Sequence, residues 1–225
     1  SRLHGLGKAL DRHAEANQGG GGRGVGGAIG KPDVVGVARG VGEMVIGANR
    51  AIDHRGGAIG DGPAVTVSQG LLQTDQIEKL PSNAHPVNRD RVIIADNPLG
   101  QVPTFFTDEG AVIYDSRVIC EYLNAKANGE LFPADGALRW DVLTQQALAD
   151  GMLGACLIAR YEDVARPEPL RWADWRAAQL DKVTTGLAWM EAHLASLQTI
   201  QIGSISLACL LGYLDFRFPD YAWRA

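Results

Sequence analysis

Two short stretches carry groups suited to binding chemistry. Residues 101–103 read Gln-Val-Pro inside an otherwise strand-like run, and residues 115–116 read Asp-Ser where a second run turns helical. Proline has no amide hydrogen, so Pro103 removes one ladder bond, and the plainest reading is an edge strand whose pairing ends there. A helix start leaves amides unpaired and presents the positive end of the dipole, which favours an anion. Asp115 or Ser116 can equally cap the helix, and capping and binding can coexist.

Spacing gives the elements that must hold these groups. Residues 77–81 form a short strand closed by Pro81, 88–94 an irregular or short helical connection, and Asn97-Pro98-Leu99-Gly100 a turn. Strands are expected over 102–107 and 111–114, joined by Asp108-Glu109-Gly110 as a glycine-containing hairpin. A helix follows over 116–125, with Val118, Ile119, Tyr122 and Leu123 on or near one face. Beyond Pro133 the pattern is helical, over about 137–164 and 170–197 and then 204–214, which is nearly all apolar and so central in a bundle. In the second helix Trp172, Trp175, Leu180, Val183, Leu187, Met190, Leu194 and Leu197 read as one buried stripe.

Composition divides the chain. It has 225 residues, 46% of them apolar, and a formal charge of -5, which provides no basic field for nucleic acid. Of its 28 glycines, 18 lie within residues 1–69, whereas the first aromatic residue is Phe105. That first third has little with which to build a core and reads as loop, with a short helix near residues 6–16. Gly22-Arg-Gly24-Val-Gly26-Gly27 matches a dinucleotide-loop spacing, but no strand precedes it and Lys31-Pro32 follows it. The Gly30-Lys31 pair fails as a phosphate loop because Val25 and Pro32 occupy the positions of the first glycine and the hydroxyl residue.

Cys120, Cys156 and Cys209 are odd in number and widely spaced, which fits a reducing, cytoplasmic setting rather than a disulfide framework. Cys120 and Cys156 lie among apolar residues and read as small buried hydrophobes. The histidines at 4, 13, 54, 85 and 193 have no metal-ligand spacing, so no metal is expected. No apolar run approaches the roughly 18 residues of a membrane span, and no signal-peptide order opens the chain.

Taken together, the stretches 97–103 (Asn-Pro-Leu-Gly-Gln-Val-Pro) and 114–123 (Tyr-Asp-Ser-Arg-Val-Ile-Cys-Glu-Tyr-Leu), with 212–219 (Gly-Tyr-Leu-Asp-Phe-Arg-Phe-Pro), resemble the soluble glutathione transferases of bacterial type over about residues 74–224. The resemblance implies an α/β plus all-α fold: an incomplete thioredoxin-like domain over 70–130, followed by a helical-bundle domain over 135–225. Residues 1–69 stand outside it as a disordered or non-native leader. It also implies a cis peptide before Pro103, which lets the Val102 N–H and C=O pair with the cysteinyl backbone of glutathione as with an added strand. Ser116 would hold the gamma-glutamyl carboxylate, Asp115 would face its ammonium, and Gln101 would reach a further polar group of the tripeptide. Glutathione is then the cosubstrate and a small hydrophobic electrophile the acceptor, in a cytoplasmic homodimer. Arg160 and Tyr161 are candidates to line the acceptor's pocket.

The chain departs from this family in three places. The family's thiol-activating Tyr, Ser or Cys precedes the strand at 77, but Ser1 and Ser68 are the only such residues there. Only Gln69 to Gln76 separate Ser68 from Ile77, too few for the usual crossover of about a dozen residues. The activating residue is therefore unassigned: either residues 1–69 are a foreign leader or the chain is a diverged, non-catalytic binding member. In the helical half, Gln201 and Ser204 stand where the family places its capping box, and glutamine is a poor cap unless Ser204 or Thr199 substitutes. The chain also stops at Ala225, soon after the Phe218-Pro219 turn, which reads as truncation.

Overall fold

Clusters of β-branched and apolar residues decide which parts of the glycine-rich third become strands. The computed structural model describes residues 37–39, 44–46, 65–67, 78–80 and 84–224. Three short strands, β1 (Val37–Arg39), β2 (Met44–Ile46) and β3 (Val65–Val67), lie where the sequence reading expected only loop. Glycine spacing dominated that reading, yet Val-Ala-Arg, Met-Val-Ile and Val-Thr-Val are segments of high strand preference. The helix expected near residues 6–16 lies outside the described residues.

The chain divides into two units, one holding Val65–Ala127 and the other Asn128–Ala225. In the first, β4 (Glu78–Leu80) precedes helix α1 (Arg91–Asp96), strands β5 (Thr104–Phe106) and β6 (Val112–Ile113), and helix α2 (Ser116–Lys126). The sheet order is β4-β1-β5-β6, and β2 and β3 form a separate antiparallel pair. β1 runs antiparallel to β4, with Val37 opposite Leu80, and parallel to β5, with Val37 opposite Thr104. β1 therefore stands beside β4, within the stretch whose composition reads as loop.

The β5–β6 hairpin closes as its Gly-containing turn predicts. Gly110 has a φ of 84°, the Thr107 N–H donates to Ala111 O at 2.8 Å, and the Ala111 N–H donates to the Thr107 hydroxyl at 3.1 Å. α2 buries Ile119, Cys120 and Leu123. Val118, expected on that face, is 49% exposed, because one helical step of about 100° carries it off the stripe.

Glu109, on the turn, fastens the hairpin to α2. Its carboxylate accepts hydrogen bonds from Lys126 and, at 3.2 Å, from the Tyr122 hydroxyl. The Lys126 hydrogen bond is the main cause that brings the Glu109 pKa down from 4.5 to about 2. A depressed carboxyl pKa stabilises the fold fully above pH 4.5, and the contribution is lost as pH falls through about 2. Lys126→Gln is thus expected to be slightly less stable than the parent at neutral pH and to match it near pH 2, as read by urea unfolding. The difference stays small because both groups are solvated.

The second unit consists of α3 (Gly136–Val164), α4 (Ala173–Ala192) and α5 (Ile202–Arg217). Among the described helices, α3 alone is long and apolar enough to cross a membrane by length and composition; here Val142, Ala149, Met152, Cys156 and Ala159 along it are buried as core. α5 is buried without interruption from Ile202 to Leu211. Its start is secured by Ser204, whose Oγ accepts from the Gln201 N–H at 3.1 Å and donates to Thr199 O and Gln201 O, each at 2.9 Å. The Ile202 N–H donates to Leu131 O at 3.0 Å. Serine at the third helical position therefore substitutes for the expected cap residue.

The α4 stripe is only partly core. Val183, Leu187, Met190 and Leu197 are buried, whereas Trp172 and Trp175 are 62% and 42% exposed and stack on each other at 6.1 Å. The helix begins at Ala173, so both tryptophans stand at its exposed first turn. It ends at Ala192 rather than continuing to 197. The His193 N–H there is shared between Trp189 O and Met190 O, the tightening that leads into the 3-10 turn Leu194–Leu197.

Candidate binding cleft

The segment between α1 and β5 has no ladder to shape it, so its own turn chemistry must do so. α1 is capped by Asp90, which accepts from the Val92 N–H at 2.8 Å. The helix ends where the Asn97 N–H reaches Ile93 O at 2.8 Å and Pro98 follows. The Gly100 N–H then donates to Asn97 O at 2.7 Å, and Arg89 Nη2 donates to Pro98 O at 2.6 Å.

Gly100 sits at φ 60°, and a Cβ there would lie 2.8 Å from Ile94 Cγ1. Both the backbone conformation and the space exclude a larger residue. Gly100→Ala is expected to cost about 1–3 kcal/mol of stability, measurable by urea unfolding.

The Val102–Pro103 peptide is cis, as is Tyr114–Asp115. At the far end of β6, Asp115 is the N-cap of α2 and accepts from the Arg117 N–H at 3.1 Å. Its second oxygen accepts from Arg117 Nη2 at 2.9 Å. The Arg117 hydrogen bond holds the Asp115 carboxyl below its ordinary pKa, so at neutral pH it is an anion paired with that guanidinium. The cap assignment falls on Asp115; Ser116 is the first helical residue and half-buried.

These two segments, 97–103 and 114–118, border one cleft of about 400 Å³. It is lined by Asn97, Leu99, Gln101, Val102, Pro103, Tyr114, Asp115, Arg117 and Val118. Three of the four residues singled out from the sequence, Gln101, Val102 and Asp115, line it. Ser116 does not, although it stands between two residues that do. Sequence reasoning missed Asn97, Tyr114 and Arg117; an asparagine ahead of Pro-Leu-Gly was the available signal, because Asn side chains commonly fold back on such turns.

The cleft thus presents one carboxylate, one guanidinium, two carboxamides, a phenol and the start of a helix. Such a lining offers groups of both charges and several hydrogen-bonding side chains. Among the described residues no group of three or more His, Cys, Asp or Glu could hold a metal ion. Cys156 and Cys209 lie in the other unit, where burial pushes both thiols up to about 12, so they behave as core residues. Ser68 falls outside the described residues, but the strand directly before it, β3, pairs with β2 and is not part of the four-stranded sheet.

The glutathione S-transferase N-terminal domain model matches residues 72–126, and the corresponding C-terminal domain model matches residues 173–225. An uncharacterized GST-like protein of Escherichia coli K12, YibF, is 33% identical over 146 residues, 63% of this chain and 72% of that protein. A glutathione transferase family member from Pseudomonas fluorescens Pf-5, whose crystal structure contains glutathione, is 45% identical over 64% of this chain and 72% of its own, with a TM-score of 0.63. A glutathione S-transferase from Methylobacillus flagellatus, also with glutathione bound, is 33% identical over 60% of this chain and 70% of its own, with a TM-score of 0.57. A thioredoxin-like N-terminal domain followed by a helical C-terminal domain is the architecture these matches share with the described fold, and the chain belongs to the glutathione S-transferase family.

Proposed function

We propose that the protein binds glutathione in the cleft between residues 101–103 and the start of α2, and conjugates its thiol to a small hydrophobic electrophile. In this reading the Val102 N–H and C=O pair with the cysteinyl backbone in the manner of an added strand. Asp115 faces the gamma-glutamyl ammonium, the Ser116 hydroxyl and amide hold the neighbouring carboxylate, and Gln101 takes a further polar group. One observation carries most of the weight: Gln101, Val102 and Asp115 line a single cleft. Support also comes from the 45% identical Pseudomonas protein, whose crystal structure holds glutathione. In the reaction, the thiol gives up its proton to solvent, its sulfur forms the bond to the electrophilic carbon, and a leaving group departs with the electron pair of the broken bond.

A second reading, glutathione binding without thiol activation, is favoured by one feature. Ser1 and Ser68 are the only Tyr, Ser or Cys residues ahead of β4, and β3, which leads into Ser68, lies outside the four-stranded sheet. Calorimetric titration with glutathione, followed by turnover of an activated aryl halide, separates the two. Binding with turnover supports conjugation, binding without turnover supports the second reading, and absence of binding removes both. Light scattering checks the accompanying proposal of a homodimer.

A further inference from the structure

Asn97 ties together the irregular segment that borders the cleft. Its side chain is 2% exposed. Nδ2 donates to Gln101 O and to Thr104 Oγ1, each at 3.0 Å, and Oδ1 accepts from the Leu99 N–H at 3.1 Å. The Thr104 hydroxyl completes a triangle by donating to Gln101 O at 2.9 Å. One amide therefore binds the turn at Leu99, the carbonyl of Gln101 and the first residue of β5, while its backbone N–H closes α1.

The Gln101 carbonyl belongs to the peptide whose N–H is that of Val102. We infer that Asn97 is a positioning residue for ligand recognition, fixing the Gln101–Val102 peptide so that Val102 presents its backbone groups in a set direction. This inference rests on the proposed glutathione site. Without the Nδ2 donor the segment must be ordered when the ligand arrives, and that ordering weakens binding.

The test uses the full chain, with glutathione as probe, and two variants. Asn97→Ala is expected to bind roughly tenfold more weakly than the parent, the value of one or two hydrogen bonds, in protein shown to be folded by circular dichroism. Asn97→Asp keeps an acceptor for the Leu99 N–H but, when ionised, sets an oxygen against Gln101 O. Burial and that carbonyl raise its carboxyl pKa, so its affinity relative to the parent should recover as pH falls and the protonated acid regains a donor. Asp115 and Arg117, which line the same cleft, and Arg89, which holds Pro98, are present in parent and variant alike and drop out of that ratio.

A purely structural Asn97 would lower the melting temperature while leaving the folded protein's affinity at the parent value at every pH; that result overturns the inference and leaves the glutathione site standing. A parent that fails to bind glutathione overturns both.

Discussion

Replacing Ser116 by alanine is expected to weaken glutathione binding by roughly 1.5–3 kcal/mol, the worth of hydrogen bonds to a charged carboxylate, with almost no change in stability. The separation follows from the local geometry. The helix cap is the Asp115 carboxylate on the Arg117 N–H, so removing the Ser116 hydroxyl leaves the cap intact, and alanine is a slightly better helix former than serine. Asp115→Ala provides the contrast, because it removes the cap at a cost of about 0.5–2 kcal/mol together with the proposed partner of the ammonium. Calorimetry and urea unfolding on both variants read the two quantities independently. Parental affinity in Ser116→Ala would remove that residue from the site.

Leu210→Ala is expected to destabilise the protein by about 2–5 kcal/mol, the largest effect anticipated for one truncation. Leu210 is 0% exposed, in a helix buried continuously around it, so the lost methyl groups leave a cavity that rigid neighbours on α5 fill poorly. Trp172→Ala removes a larger side chain that is 62% exposed, and its cost should be much smaller. Urea midpoints rank the two. A loss below about 1 kcal/mol for Leu210→Ala would mean that α5 is not the centre of the bundle.

Residues with local, directional preferences were the legible ones. Asp115 before an apolar helical run, Gly110 in a three-residue turn and the apolar stretch around Leu210 each specify structure through their own neighbours, and the corresponding elements form within a few residues of their expected bounds. Trp172 and Trp175 show the limit: periodicity assigned them to a face, but only the start of α4 at Ala173 sets them at an exposed turn. The strand at Val37–Arg39 was hidden because its partners, Leu80 and Thr104, are distant in sequence. At the cleft, Gln101, Val102 and Asp115 were found through the resemblance of their motifs to the glutathione transferases. Asn97 was not, because its role lies in contacts to Gln101 and Thr104 that exist only once the turn has formed.

Amide hydrogen exchange on the full chain, with and without saturating glutathione, tests the location of the site most directly. Bound glutathione should slow exchange at Gln101 and Val102 and at the first amides of α2, Ser116 to Val118, because one ligand occupies both rims of the same cleft. Tight binding with unchanged exchange in these two segments, or with protection confined to other peptides, would contradict the account.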